Sequence, residues 1–146
     1  TPPSAPPPHQ VMELPLSTPM MPPFCQHFRY RFCWNALPYT RREDAVIGGW
    51  CELREEQEIS YPYIAALLDS WAPAIFPTLD APTRAASVDF SYHFLCSPAQ
   101  LTELSVPFLY RGEVLSLYEG YAEERNWLWD AKGTPVATAR QLYAIG

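Results

Sequence analysis

Apolar and polar residues alternate in several segments of the chain, and one stretch is apolar nearly all round instead. In residues 59–72, ISYPYIAALLDSWA, the side chains of Ile64, Ala65, Ala66, Leu67, Leu68 and Trp71 cover nearly the whole circumference of a helix. An ordinary surface helix would show one apolar stripe and a charged back. Ser60 as N-cap, Pro62 in the first turn and Pro73 just past Trp71 predict a helix of roughly three turns. Such a helix is wrapped on most sides. Its one carboxylate, Asp69, is costly to bury without hydrogen-bonding partners or a chemical role.

The flanking segments read as strands. Residues 27–36 alternate Phe28, Tyr30, Phe32 and Trp34 against Arg29, Arg31, Cys33 and Asn35, the period-two pattern of a strand with one buried face. Residues 45–55 form a second strand, in which Gly48-Gly49 marks a bulge or the close approach of another backbone or a ligand. A proline-rich loop (73–84) leads to residues 85–95. There Ala86, Val88, Phe90, Tyr92 and Phe94 share one face, and Ser87, Asp89, Ser91 and His93 the other. After an irregular connection come a strand over 112–124 that passes through Gly120, a shorter one within 125–133 that turns at 130–133, and a last one over 134–145. The layer rules then favour an α+β domain, a curved antiparallel sheet wrapped around one apolar helix.

Composition changes this picture at the start of the chain. Nine of the first 23 residues are proline, too many for a helix or a central strand. Residues 1–27 therefore read as a linker or tail and 28–146 as the domain, with the whole expected to be a later portion of a longer polypeptide. The net charge is −6 and the nine Arg and one Lys are scattered, which argues against nucleic acid as partner because phosphate binding needs a clustered basic surface. No stretch approaches the ~20 apolar residues of a membrane span. Cys25, Cys33, Cys51 and Cys96 form no C-x-x-C pair and have no His at ligand spacing, so neither zinc nor another metal is expected, and a cytoplasmic, reduced protein is.

Three local patterns, in this order, narrow the reading: the apolar helix ending in Ala66-Leu67-Leu68-Asp69-Ser70, the strand Ala86-Ser87-Val88-Asp89-Phe90-Ser91, and the final strand Val136-Ala137-Thr138-Ala139-Arg140-Gln141. Together they resemble the acyl-CoA thioesterase II (TesB-like) family, and they span roughly residues 28–145. The resemblance implies a hot-dog fold and places the chain as the C-terminal one of two hot-dog repeats. It also implies hydrolysis of an acyl-CoA thioester by a bound water, without cofactor or covalent intermediate. Carried over position by position, the residues that hold this water are Asp69, Ser87 and Gln141. The chain departs from the family's pattern at Phe90, where His is frequent.

The residues themselves leave blander readings open. Asp69 as general base competes with Asp69 paired to an arginine. Ser87 has no adjacent His to make it a nucleophile, so it either orients water or is a small residue tolerated in a strand. Gln141 shares its face with Ala137, Ala139 and Tyr143, and its amide suits a water or thioester oxygen as well as a loop contact. Asp89 reads as structural, and His93 as a lone strand histidine, which disfavours a hydratase. Gly48 and Gly49 either admit the pantetheine arm of coenzyme A or relieve curvature, and Arg84 is a candidate for the coenzyme's phosphates. The aromatic residues of the convex face are expected to pack on a second hot-dog repeat or another copy of the chain. A non-catalytic, acyl-CoA-binding or structural half of a double repeat is the alternative to an enzyme.

Overall fold

The computed structural model describes residues 1–18, 21–35 and 37–146. Six antiparallel strands, β1 (Phe28–Phe32), β2 (Val46–Leu53), β3 (Ala85–Phe94), β4 (Phe108–Tyr118), β5 (Tyr121–Trp129) and β6 (Pro135–Ile145), form one sheet in the order β1-β2-β4-β5-β6-β3. The one α-helix among the described residues, α1 (Tyr61–Asp69), lies against its inner face. The Ser60 hydroxyl accepts from the Tyr63 N–H and Pro62 occupies the first turn, as the sequence predicts. Tyr63, Ile64, Leu67 and Leu68 are buried, each worth roughly 1.5–3 kcal/mol relative to exposure. They meet Tyr30, Ile47, Cys51, Phe108, Tyr110 and Leu128 from the sheet. No helix among the described residues is long and apolar enough to cross a membrane.

The strands depart from the sequence expectation at three points that bear on the site, each for a local reason. β1 stops at Phe32 because Trp34 and Asn35 take positive φ (59° and 52°), which turns Trp34 onto the outer face. Ala36, the predicted strand end, lies outside the described residues, as do Pro19 and Met20 of the proline-rich segment. The strand predicted to run through Gly120 is instead a hairpin. Glu119 (φ 46°) and Gly120 (φ 83°) make the two-residue turn between β4 and β5, the double positive φ that matches strand twist. A Glu in the first turn position hides a signal that Asn or Asp would have shown. Finally, β3 carries a bulge between Ser87 and Asp89.

The chain's own beginning lies against part of the outer face. The indole N–H groups of Trp34 and Trp50 donate to the carbonyls of Ser4 (3.0 Å) and Pro6 (2.8 Å). Arg31 donates to the Val11 carbonyl (2.6 Å), and the Leu14 N–H to the Tyr30 carbonyl (2.7 Å). Proline suits such a strap because it supplies carbonyls without N–H groups that need partners. Trp50→Phe removes one of these bonds from a buried site, a loss of about 1 kcal/mol. Limited proteolysis of the variant should cut residues 1–11 several-fold faster, and an unchanged digestion pattern would show that the strap does not depend on the indole.

Candidate active site

Asp69 is the last residue of α1, not a residue in its midst, and its side chain is exposed. The helix end is fixed from two sides. The Tyr30 hydroxyl donates to the Ser70 carbonyl (2.9 Å), and the Ser70 hydroxyl donates to the Leu67 carbonyl (3.1 Å). Asp69 opens on a cavity of about 940 Å³ whose walls are mostly apolar, with Phe24, Phe28, Phe32, Tyr39, Trp71 and Phe76 among them. Partial burial there raises the carboxyl above its usual range.

The bulge decides where Ser87 points. Residues directly opposite in a sheet share a face, and Ser87 stands opposite Tyr143 while Phe90 stands opposite Gln141. Strict alternation would put Ser87 and Phe90 on opposite faces. The extra residue restores Ser87 to the inner face, where it lines the cavity with Asp69 and Tyr143. Asp89, beyond the bulge, stands opposite Leu142 and is exposed, and so is His93 opposite Thr138. Neither belongs to the site.

Tyr143 joins the predicted residues. Its phenol has Ser87 and Gln141 as hydrogen-bonding neighbours and lies within the fields of Glu124 and Asp69. Burial first, then those two negative charges, push its pKa far up, so it remains a protonated donor at all working pH. Gln141 is buried at 2 % exposure, and its Oε1 has no hydrogen-bond partner among the described residues. A buried amide oxygen left without a protein donor calls for one from water or ligand. Gln141 is not itself part of the cavity wall; it reaches Asp69 and Ser87 by way of Tyr143.

Behind this group sits a carboxylate that the sequence reading passed over. Glu124 is 1 % exposed and opposite Gln141. Its Oε2 accepts from the Ala74 N–H (2.7 Å) and its Oε1 from the Asn126 amide (3.0 Å), which also donates to the Tyr110 hydroxyl (2.6 Å). Burial pushes Glu124 up to about 7, against the lowering effect of its two donors. Its signal in the sequence is the alternation Ala122, Glu124, Asn126, Leu128. That register is lost when the turn at Gly120 goes unrecognised. Tyr143 was legible as a residue sharing the face of Gln141, but its pairing with Ser87 depends on the bulge.

The remaining predicted residues lie elsewhere. Gly48 and Gly49 are buried in β2, and their hydrogens face protein backbone rather than the cavity. A Cβ on Gly48 would lie 2.2 Å from the Tyr110 carbonyl oxygen, and one on Gly49 2.1 Å from that of Arg31. Arg84 is exposed beside Ala85 of the cavity wall, and its carbonyl accepts from the Gly146 N–H (2.9 Å).

No curated protein matches the chain. Among solved structures, a conserved protein of unknown function with hot dog fold from Alicyclobacillus acidocaldarius superposes with a TM-score of 0.88 at 22% identity. The match covers 100% of this chain and 55% of that one. A tesB protein of Mycobacterium avium subs paratuberculosis gives 0.62 at 18% identity, over 94% of this chain and 56% of that one. The acyl-CoA thioesterase II TesB2 of Mycobacterium marinum gives 0.58 at 16%, over 92% and 56%. These likenesses show the hot-dog fold, and the chain spans about half the length of each of the three proteins. The sequence match is more specific than the fold, running from residue 2 to residue 145: the chain belongs to the acyl-CoA thioesterase C-terminal domain family.

Proposed function

We propose that the chain is the water-activating half of an acyl-CoA thioesterase, and one observation carries the reading. Asp69, Ser87 and the phenol of Tyr143 stand together at one part of the wall of a large, mostly apolar cavity. In this reading the cavity takes the acyl group and the polar residues meet the thioester. Asp69 accepts the proton of a water as its oxygen bonds to the carbonyl carbon. Ser87 holds that water directly and Gln141 acts on it by way of Tyr143, whose protonated phenol donates toward developing negative charge. The carbon–sulfur bond then breaks, the thiolate of coenzyme A takes the proton from Asp69, and the free acid is released.

Two further parts of the reading concern partners. β3 is an edge strand with Val88 and Tyr92 exposed at 57% and 42%. Unpaired strand edges of this kind invite another sheet. A second hot-dog repeat beside β3, with residues 1–27 as the linker to it, would also account for the half-length match to the solved structures. Arg84, exposed beside the cavity wall, is placed for the coenzyme's phosphates, and the four free cysteines suit a cytoplasmic enzyme.

Release of free coenzyme A from a series of short to long acyl-CoAs tests the reading. Turnover is expected, with preference for acyl groups large enough to fill the cavity. Binding of acyl-CoA without turnover of any member would overturn catalysis and leave the non-catalytic binding half in its place.

A further inference from the structure

We propose that Glu124 is a positioning residue of this site: its buried carboxylate ties the backbone leaving the Asp69 helix to the strand pair that carries Gln141. The kinetic part of this proposal rests on the thioesterase reading above. Asp69 ends α1, and Ala74, five residues further on, gives its N–H to Glu124 at 2.7 Å. The other carboxylate oxygen is held by Asn126 at 3.0 Å, two residues along the same strand. Glu124 also stands directly opposite Gln141 on the inner face. One side chain therefore links the two elements whose relative position sets the distance from Asp69 to Gln141.

An apolar residue in this place would avoid the cost of burying a carboxylate. What it could not do is accept the Ala74 N–H across the two elements while Asn126 of its own strand holds the other oxygen. Only the ionised form offers two full acceptors, because a proton on either oxygen adds a donor that must be fitted beside the Ala74 or Asn126 N–H and weakens that bond. The titratable groups that face Glu124 are Tyr110 from β4 and Tyr143 from β6, both kept protonated by burial, with Asp69 of α1 acting on the same Tyr143. The helix otherwise presents buried Ile64, Leu67 and Leu68. Both phenols stay protonated between pH 6 and pH 8, so neither mimics the titration of Glu124 there.

The charge then has opposite effects on stability and on the site. Its folded pKa, about 7, lies above the ordinary glutamate value of 4.5. The folded state binds the extra proton between those values, so stability is greatest below 4.5 and declines as pH rises through 7. The hydrogen-bonded anchor follows the opposite course and is complete only above 7. A residue present merely for stability would not show this divergence.

The test compares the full chain with Glu124→Gln in three readouts. In wild type the backbone amide resonance of Ala74 should titrate with a midpoint near 7, and in the variant it should not. The variant should lose at least tenfold in kcat at pH 8 with KM within twofold, and its melting temperature should fall less between pH 5 and pH 8 than the wild type's does. Wild-type kcat in the variant, or a wild-type Ala74 amide that does not titrate, would overturn the proposal while leaving the thioesterase reading intact. Absence of turnover in the wild type is the separate result that overturns the thioesterase reading and, with it, the kinetic role of Glu124.

Discussion

Asp69→Asn is expected to lower kcat for acyl-CoA hydrolysis by about a thousandfold, within the 10²–10⁴ range of a positioned general base, with acyl-CoA affinity nearly unchanged. The amide keeps the shape of the carboxylate but cannot take the water's proton. The fold should not suffer. Asp69 is exposed and sits at the C-terminal end of α1, where the last turn holds no basic residue. A negative charge there opposes the helix dipole by about 0.3–1 kcal/mol, so the neutral variant should melt at or slightly above the wild-type temperature at pH 7. The pH dependence has the same sign. Burial raises the Asp69 carboxyl, and the base works only when ionised. Wild-type kcat/KM should therefore fall as pH drops through that raised pKa. Steady-state kinetics with a thermal melt beside them decide the matter, and wild-type turnover by the variant would remove Asp69 from the mechanism.

The same residue shows how far the sequence reaches. Ser60, Pro62 and the apolar run Ile64–Leu68 make the helix legible, because capping and helical periodicity are local properties. The order of strands around one helix is legible for the same reason, and most clearly where the residues alternate, as in β1 and β3. Asp69 stood out as a carboxylate in an apolar element, although the helix ends at Asp69 and leaves it at a cavity rather than enclosed. What alternation cannot carry is a break in its own phase. The bulge after Ser87 and the turn at Glu119-Gly120 each shift the register, and one shift reverses every inward and outward assignment beyond it. Ser87 reaches Tyr143 only because of the first. Glu124 was hidden by the second, and no local pattern could reveal that its partner is a backbone N–H fifty residues away.

Gly49→Ala is the other large expected effect, and it separates two roles that the sequence left open for the glycine pair. Gly49 pairs with Phe32 on one side and Tyr110 on the other, at φ 149°. An added Cβ would lie 2.1 Å from the Arg31 carbonyl oxygen and 2.8 Å from the Cys33 N–H nitrogen. Both neighbours are backbone, so relief requires β1 to move off β2, and Tyr30 on β1 is what holds the end of the Asp69 helix. The expected loss is about 4 kcal/mol or more, as for severe overpacking combined with backbone strain. That is a large share of the 5–15 kcal/mol by which domains are ordinarily stable. The variant should be recovered mostly unfolded or melt roughly 10–20 °C lower. Had the glycines made room for the pantetheine arm, the added methyl would raise KM and leave the melting temperature alone. Thermal melts of Gly49→Ala distinguish the two, and a stable variant with weakened substrate binding would return Gly49 to the substrate path.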